Sequence, residues 1–354
     1  MILKKQLILI VLLIIGITLV GCQATLASDN IKEKTVDQMD SDLLIPIYYP
    51  FLENTLLEYE GEGNEYAEQK TYFEFIENNR AQIKVMNPGT NLIRILEYKE
   101  GALTEVYLEG EFYHIENMLN TKATKHDILL KEPLEVGNSW ITQDGYQREI
   151  TSMDSKIDTP YGQLDALEVT TRFDDVKYQK DYYSKGIGFV ARIYVDGDMK
   201  VKTLLSEIDN TTLDHEMRIF YPMNDGESIV FINDKTSFPT NGSIDKMLED
   251  KLKNPPSDKL SRVLPEKVSI KKLYFDRSNW IVKVDLSDNF LEELNAGSTY
   301  EYNVIKSIVN TLGRFYDTEK VSISIDGRPY ESGHIQLTEG ETFKVTEDTV
   351  EFKQ

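Results

Sequence analysis

The chain has 354 residues, 60 acids against 39 bases for a net charge of −21, and a single cysteine, Cys22. One cysteine excludes a disulfide scaffold, and the acidic surplus argues against a protein built to bind phosphate backbones, so no nucleic-acid partner is expected. With 40% hydrophobic and 10% aromatic residues the chain can fill real cores, and its length suits about two domains.

Residues 1–21 read as a signal peptide. Lys4 and Lys5 precede an apolar run from Leu7 to Val20. That run falls short of the roughly 20 residues that span a bilayer, and it fits the core of a secretory signal. It ends in Leu19-Val20-Gly21-Cys22, which resembles the lipobox of bacterial lipoproteins. The resemblance implies cleavage before Cys22, a diacylglyceryl thioether on its sulfur, and residence on the extracytoplasmic face of the cell membrane. One acyl chain holds a protein only marginally, whereas two anchor it, each buried CH₂ contributing about 0.8 kcal/mol. Residues 22–44 are polar without apolar periodicity and read as a flexible tether. No later apolar run approaches membrane length.

Residues 45–208 carry short strand-like runs. Thr71–Ile76, Gln82–Met86, Leu92–Tyr98, Val106–Leu108 and Glu111–Ile115 are separated by turn signals such as Asn87-Pro88-Gly89 and Lys99-Glu100-Gly101. Strands at this spacing predict a mainly antiparallel β domain, a curved sheet or half-barrel. Pro133–Trp140, Thr159–Val169 and Asp181–Val190 resemble segments of bacterial envelope β-domains, and Trp140 reads as core.

Residues 214–345 mix strands with helices. Met217–Pro222 and Ser228–Ile232 flank the turn Asn224-Asp225-Gly226. Ser243 is placed to cap a helix with Ile244, Met247, Leu248 and Leu252 on one face, ending before Pro255-Pro256. Strands follow at Val268–Phe275 and Ile281–Asp285. Ser298 with Glu301 reads as a capping box for a helix that presents Tyr302, Ile305, Val309 and Leu312 and closes at Gly313. Val321–Ile325 is a last strand before Asp326-Gly327. This predicts an α+β sandwich, and the whole chain an α+β protein with its β domain first.

The order and wording of this region resemble the GerMN domain of sporulation and spore germination proteins. The residues that carry the likeness are Leu264-Pro265, Val284-Asp285-Leu286-Ser287 with Phe290, Gly297-Ser298 with Glu301, Ser307–Leu312, Ile325-Asp326-Gly327 and Gly333-His334. The resemblance covers residues 214–345. It implies an extracytoplasmic lipoprotein that binds spore or envelope proteins, in a homo- or hetero-oligomer or singly, and it implies no catalysis.

No catalytic or metal set stands out from the residues themselves. The histidines His114, His126, His215 and His334 are scattered, and His215-Glu216 lacks the second histidine of a zinc protease. Asp285, Asp288 and Asn289 lack the glycine and terminal glutamate of a calcium loop, so Ser287 or Asp288 reads as a helix cap and Asp285 as a backbone acceptor. His334 reads as a structural hydrogen-bonding group. No cofactor is expected. Residues 258–283 are locally basic, and Lys259, Arg262, Lys267, Lys271 and Lys272 are candidate contacts for an acidic partner. The expectation is a non-enzymatic, membrane-anchored interaction module, with a β domain that senses or carries an apolar or glycan ligand as the alternative.

Overall fold

The computed structural model describes residues 44–346 and 349–353. The signal peptide, Cys22 and the tether up to residue 43 lie outside the described residues.

Six strands form a first meander: β1 (Thr55–Glu62), β2 (Gln69–Glu77), β3 (Arg80–Met86), β4 (Asn91–Lys99), β5 (Ala102–Gly110) and β6 (Asp127–Lys131). A second meander holds β7 (Ser139–Ile141), β8 (Gln147–Thr159), β9 (Gly162–Arg172), β10 (Lys177–Ser184), β11 (Gly188–Asp196) and β12 (Met199–Asn210). Both are antiparallel, and β1 pairs with β12, so all twelve strands make one sheet with β6 and β7 at its ends. Those two ends meet through side chains. Trp140 on β7 donates its indole N–H to the Ile128 carbonyl on β6 at 2.9 Å, and Arg148 on β8 bonds Asp127 at 3.0 Å and the same carbonyl. The expected half-barrel is therefore a nearly closed barrel. Trp140 is core as read, and its polar atom is also the seam.

The inner face holds a core of Phe73, Ile83, Val85, Leu96, Leu130 and Leu167 with others. The short helix α1 (Ile45–Tyr48) and Tyr49 that follows it pack onto this core. Strand alternation sends Ile93 and Ile95 to the outer face, into a different core.

That outer core is shared with the rest of the chain. Phe75, Ile93, Ile95 and Val106 join the interior of the region after residue 212 in one cluster, and the described residues form one compact unit. The segment expected as a strand at Glu111–Ile115 is not one: β5 ends at Gly110. Its alternation has another cause. The segment lies over the sheet, burying Phe112, Ile115, Met118 and Leu119. Its carbonyls accept bonds from below, His114 from Lys84 at 2.6 Å and Glu116 from Gln82 at 2.8 Å.

Beneath it lies an ion pair shut off from water. Lys84 and Glu74 are 2.8 Å apart, with side-chain exposures of 2% and 0%. A bulge between Phe73 and Phe75 creates this arrangement. It adds one residue to β2, so Glu74 reaches Gln82 and Lys84 of the neighbouring strand.

After residue 212 come β13 (Leu213–Pro222) and β14 (Ile229–Phe238), an antiparallel pair extended by β20 (Val350–Glu351). A second sheet holds β15 (Ile270–Asp276), β16 (Ile281–Leu286), β17 (Lys320–Ile325) and β18 (Arg328–Pro329), with β19 (Phe343–Lys344) also on β17. The helices are α2 (Ile244–Lys253), α3 (Phe290–Leu294) and α4 (Ser298–Phe315). Ser243 caps α2 as its sequence position indicates, accepting from the Lys246 amide.

Helix α4, packed on several sides, departs from its sequence reading in three ways. Tyr302 is 54% exposed and the buried residues include Val304, Ile305, Ile308, Val309 and Leu312. Ser298 is the first helical residue and not the cap, and Glu301 accepts from the Tyr330 hydroxyl at 2.8 Å. Gly313 lies inside the helix. A Cβ there would sit 2.1 Å from Val345 Cγ2 and 2.8 Å from the Thr318 carbonyl, so the glycine admits the returning chain. Polar groups on α4 serve the strands around it. Thr311 accepts from the Phe220 amide at 3.0 Å and Asn310 from that of Thr346 at 2.9 Å.

Candidate functional site

The five basic candidates fall on one stretch of chain. Lys259, Arg262 and Lys267 lie on the connection from α2 to β15, and Lys271 and Lys272 on β15 itself. Their neighbours modify the charge. Arg262 pairs with Glu266 at 3.3 Å, Lys267 with Glu293 at 2.9 Å and Lys271 with Asp326. The hydrogen bonds to Glu293 and Asp326 raise the Lys267 and Lys271 pKa values, and Lys271 lowers that of Asp326. Two of these partners stand outside the basic window in sequence, so the counted surplus overstates the local field. Lys259 has no ion pair among the described residues, and Lys272 lies 4.6 Å over the exposed ring of Tyr274. Arg277, from the same window, turns away. It grips Glu109 at 2.7 and 3.0 Å and Glu116 at 2.7 Å, tying β15 to the barrel.

Other candidates have structural roles. Asp285 accepts from Ser324 at 2.6 Å and from the Gly327 amide at 2.8 Å, the backbone role expected of it. The residue before α3 is Asn289, with no side-chain cap bond, and Ser287 instead accepts from the Ser269 amide at 2.9 Å. The exposed His334 uses its backbone amide, bonded to Ser332 at 3.1 Å. No cluster of metal-ligating residues occurs among the described residues.

A cleft of about 660 Å³ runs along the junction, lined by His114, His215, Arg218, Asp234, Lys235 and Phe315 among others. Burial, with Lys84 and His114 assisting, pushes the His215 pKa down from 6.5 to about 4. The unfolded chain therefore binds the proton more readily than the folded one. The resulting stability is complete above about pH 6.5 and is lost as pH falls toward 4. Its full size is about 3 kcal/mol, and roughly 2 kcal/mol goes between pH 7.5 and 5. Over that interval Glu105 and Glu116, whose pKa values are lowered below 4.5, contribute little. Urea unfolding at the two pH values is expected to show this loss in the wild type and a flatter dependence in His215→Phe. Equal slopes in the two proteins would refute it.

The barrel interior carries a second set of groups that the sequence reading did not select. A cavity of about 330 Å³ remains inside the sheet. A belt of charge lines it, from Arg94 on β4, Glu105 on β5, Asp127 on β6, Arg148 on β8, Asp181 on β10 and Arg192 on β11. Glu105 accepts from both Arg94 and Lys125. Burial opposes its charge, yet these two cations outweigh burial and hold its pKa below the usual carboxylate range. Arg192 donates its Nε–H to Asp181 at 2.7 Å. The signal available in sequence was Arg94 between Ile93 and Ile95, one polar residue opposed to an apolar face.

Residues 218–331 match the Germane family model, described as sporulation and spore germination. The C-terminal region carries a Germane domain. Solved structures resemble parts of the chain. The first GerMN domain of the sporulation protein GerM from Bacillus subtilis is 17% identical, covering 38% of this chain and 96% of that one at a TM-score of 0.27. The tandem GerMN domains of the same protein are 18% identical, covering 37% and 46% at 0.28. A presumed lipoprotein from Parabacteroides distasonis is 14% identical, covering 46% and 98% at 0.27. No curated protein matches the chain. The basic stretch from Lys259 to Lys272 lies wholly within the Germane domain.

Proposed function

We propose that the chain is a lipid-anchored extracytoplasmic lipoprotein whose Germane domain docks onto proteins of sporulation, germination or envelope assembly, without chemistry of its own. The observation that carries this reading is the Germane match over residues 218–331, in a chain whose residues 19–22 resemble a lipobox. No described helix is long and apolar enough to cross a membrane, and in this reading Cys22 supplies the attachment. The docking face is the stretch holding Lys259, Arg262, Lys267, Lys271 and Lys272, where Lys259 and Lys272, the two of these cations without an ion pair among the described residues, orient an acidic partner.

Crosslinking in membranes of the native host, during growth and starvation, tests it. The full chain is expected to capture a specific protein, and Lys259→Glu with Lys272→Glu to reduce that capture at least several-fold without changing the melting temperature. Among the described residues these two lysines have no carboxylate partner to strand. Equal capture by the variant would refute the face, and no capture under either condition would refute the docking role.

A further inference from the structure

We propose that the barrel interior is a binding site for a small amphipathic carboxylate, its charge held at Arg94 and Arg192 and its apolar end against the aromatic wall. This goes beyond the docking role and does not rest on it.

The charge balance is the first observation. Four cations line the cavity, Arg94, Lys125, Arg148 and Arg192, against three carboxylates, Glu105, Asp127 and Asp181. A protein of net charge −21 thus keeps an uncompensated positive charge inside its barrel. Desolvation opposes the charge of both Arg94 and Arg192, and an anion beside them offsets that cost. One bound carboxylate makes the belt neutral, whereas a dianionic phosphate would overshoot.

The second is what the two arginines leave unused. Arg94 and Arg192 each bond their carboxylate through Nε. Among the described residues no hydrogen bond engages their terminal Nη atoms. These N–H groups form the planar fork that matches a carboxylate. Arg192 keeps 41% of its side-chain surface accessible, although desolvation opposes its charge. Accessible surface on a desolvated group is what a cavity-facing side chain shows.

The third is the remaining wall. Tyr49, Tyr59, Phe73, Tyr183 and Phe189 line the same cavity. The Tyr49 and Tyr183 rings are 5.9 Å apart and those of Tyr59 and Phe189 5.5 Å. The guanidinium of Arg192 lies 5.5 Å over Phe189, so charge and aromatic wall meet at one place. A few convergent polar groups in an otherwise apolar concavity is the usual make-up of a small-molecule site. The volume admits on the order of ten to twenty non-hydrogen atoms.

Isothermal titration of the full detergent-solubilised chain with 3-phenylpropionate tests this. Its neutral amide, 3-phenylpropanamide, and 3-phenylpropylamine serve as matched controls of the same size. Binding of the carboxylate is expected, at least tenfold tighter than either control. Arg94→Gln and Arg192→Gln are each expected to weaken it at least tenfold. If those variants fold poorly, Thr71→Trp fills the cavity without touching a charge and is expected to abolish binding. No binding of the carboxylate, equal affinity for acid and amide, or binding that survives Thr71→Trp in a folded protein would overturn the proposal.

Discussion

Lys84→Met is expected to destabilise the protein by about 3–5 kcal/mol, because it strands the Glu74 carboxylate away from water. The lysine is spent entirely on the interior. It bonds Glu74 and the His114 carbonyl and lies 5.4 Å from the Phe112 ring centre. After the change Glu74 retains only the Gln82 amide at 2.8 Å. The double variant Glu74→Met, Lys84→Met removes the stranded charge and is expected to recover part of the loss. Recovery stays incomplete because the His114 carbonyl still lacks a donor and Gln82 loses its carboxylate. Urea midpoints for both single variants and the double give the coupling directly. A single-variant cost below about 1 kcal/mol would show that the pair is not sealed. The same change removes a positive charge that helps hold His215 neutral. The His215 titration in Lys84→Met is therefore expected to move upward, toward its ordinary value.

Cys22→Ala is expected to change the chemical identity of the mature protein. The lipobox reading predicts that membrane-purified wild type begins at Cys22 and carries the added mass of a diacylglyceryl group. The alanine variant is expected to lack that mass and to keep residues 1–21, since the modifying step needs the thiol. Intact-mass measurement distinguishes the two. Sedimentation alone does not, because the retained apolar run can itself hold the precursor to the membrane. Unmodified Cys22 in the wild type would remove the anchor from the proposed function.

Local patterns located most of the elements. Period-two runs found β2, β3 and β4, and the spacing of Ile244, Leu248 and Leu252 with Ser243 before them found α2 and its cap. The same logic failed where burial has more than one side. Alternation at residues 111–115 described a segment laid across a sheet, and single-face periodicity could not describe α4, packed against strands on several sides. Charge was legible as a count but not as a field. Glu293, Asp326, Glu109 and Glu116 all arrive from outside the basic window to neutralise it.

The sequence by itself determined the strand-rich first region, the mixed second region with its Germane signature, and the one cysteine that reads as an anchor. Those features are local, written in a few adjacent residues and their spacing. Only the tertiary structure decided that the sheet curls far enough for β6 and β7 to meet. Closure turned Arg94, Glu105, Asp181 and Arg192 from scattered polar positions on four strands into one desolvated belt. A strand's alternation says which residues share a face, but whether that face meets water, a neighbour or an enclosed cavity depends on strands that lie a hundred residues away.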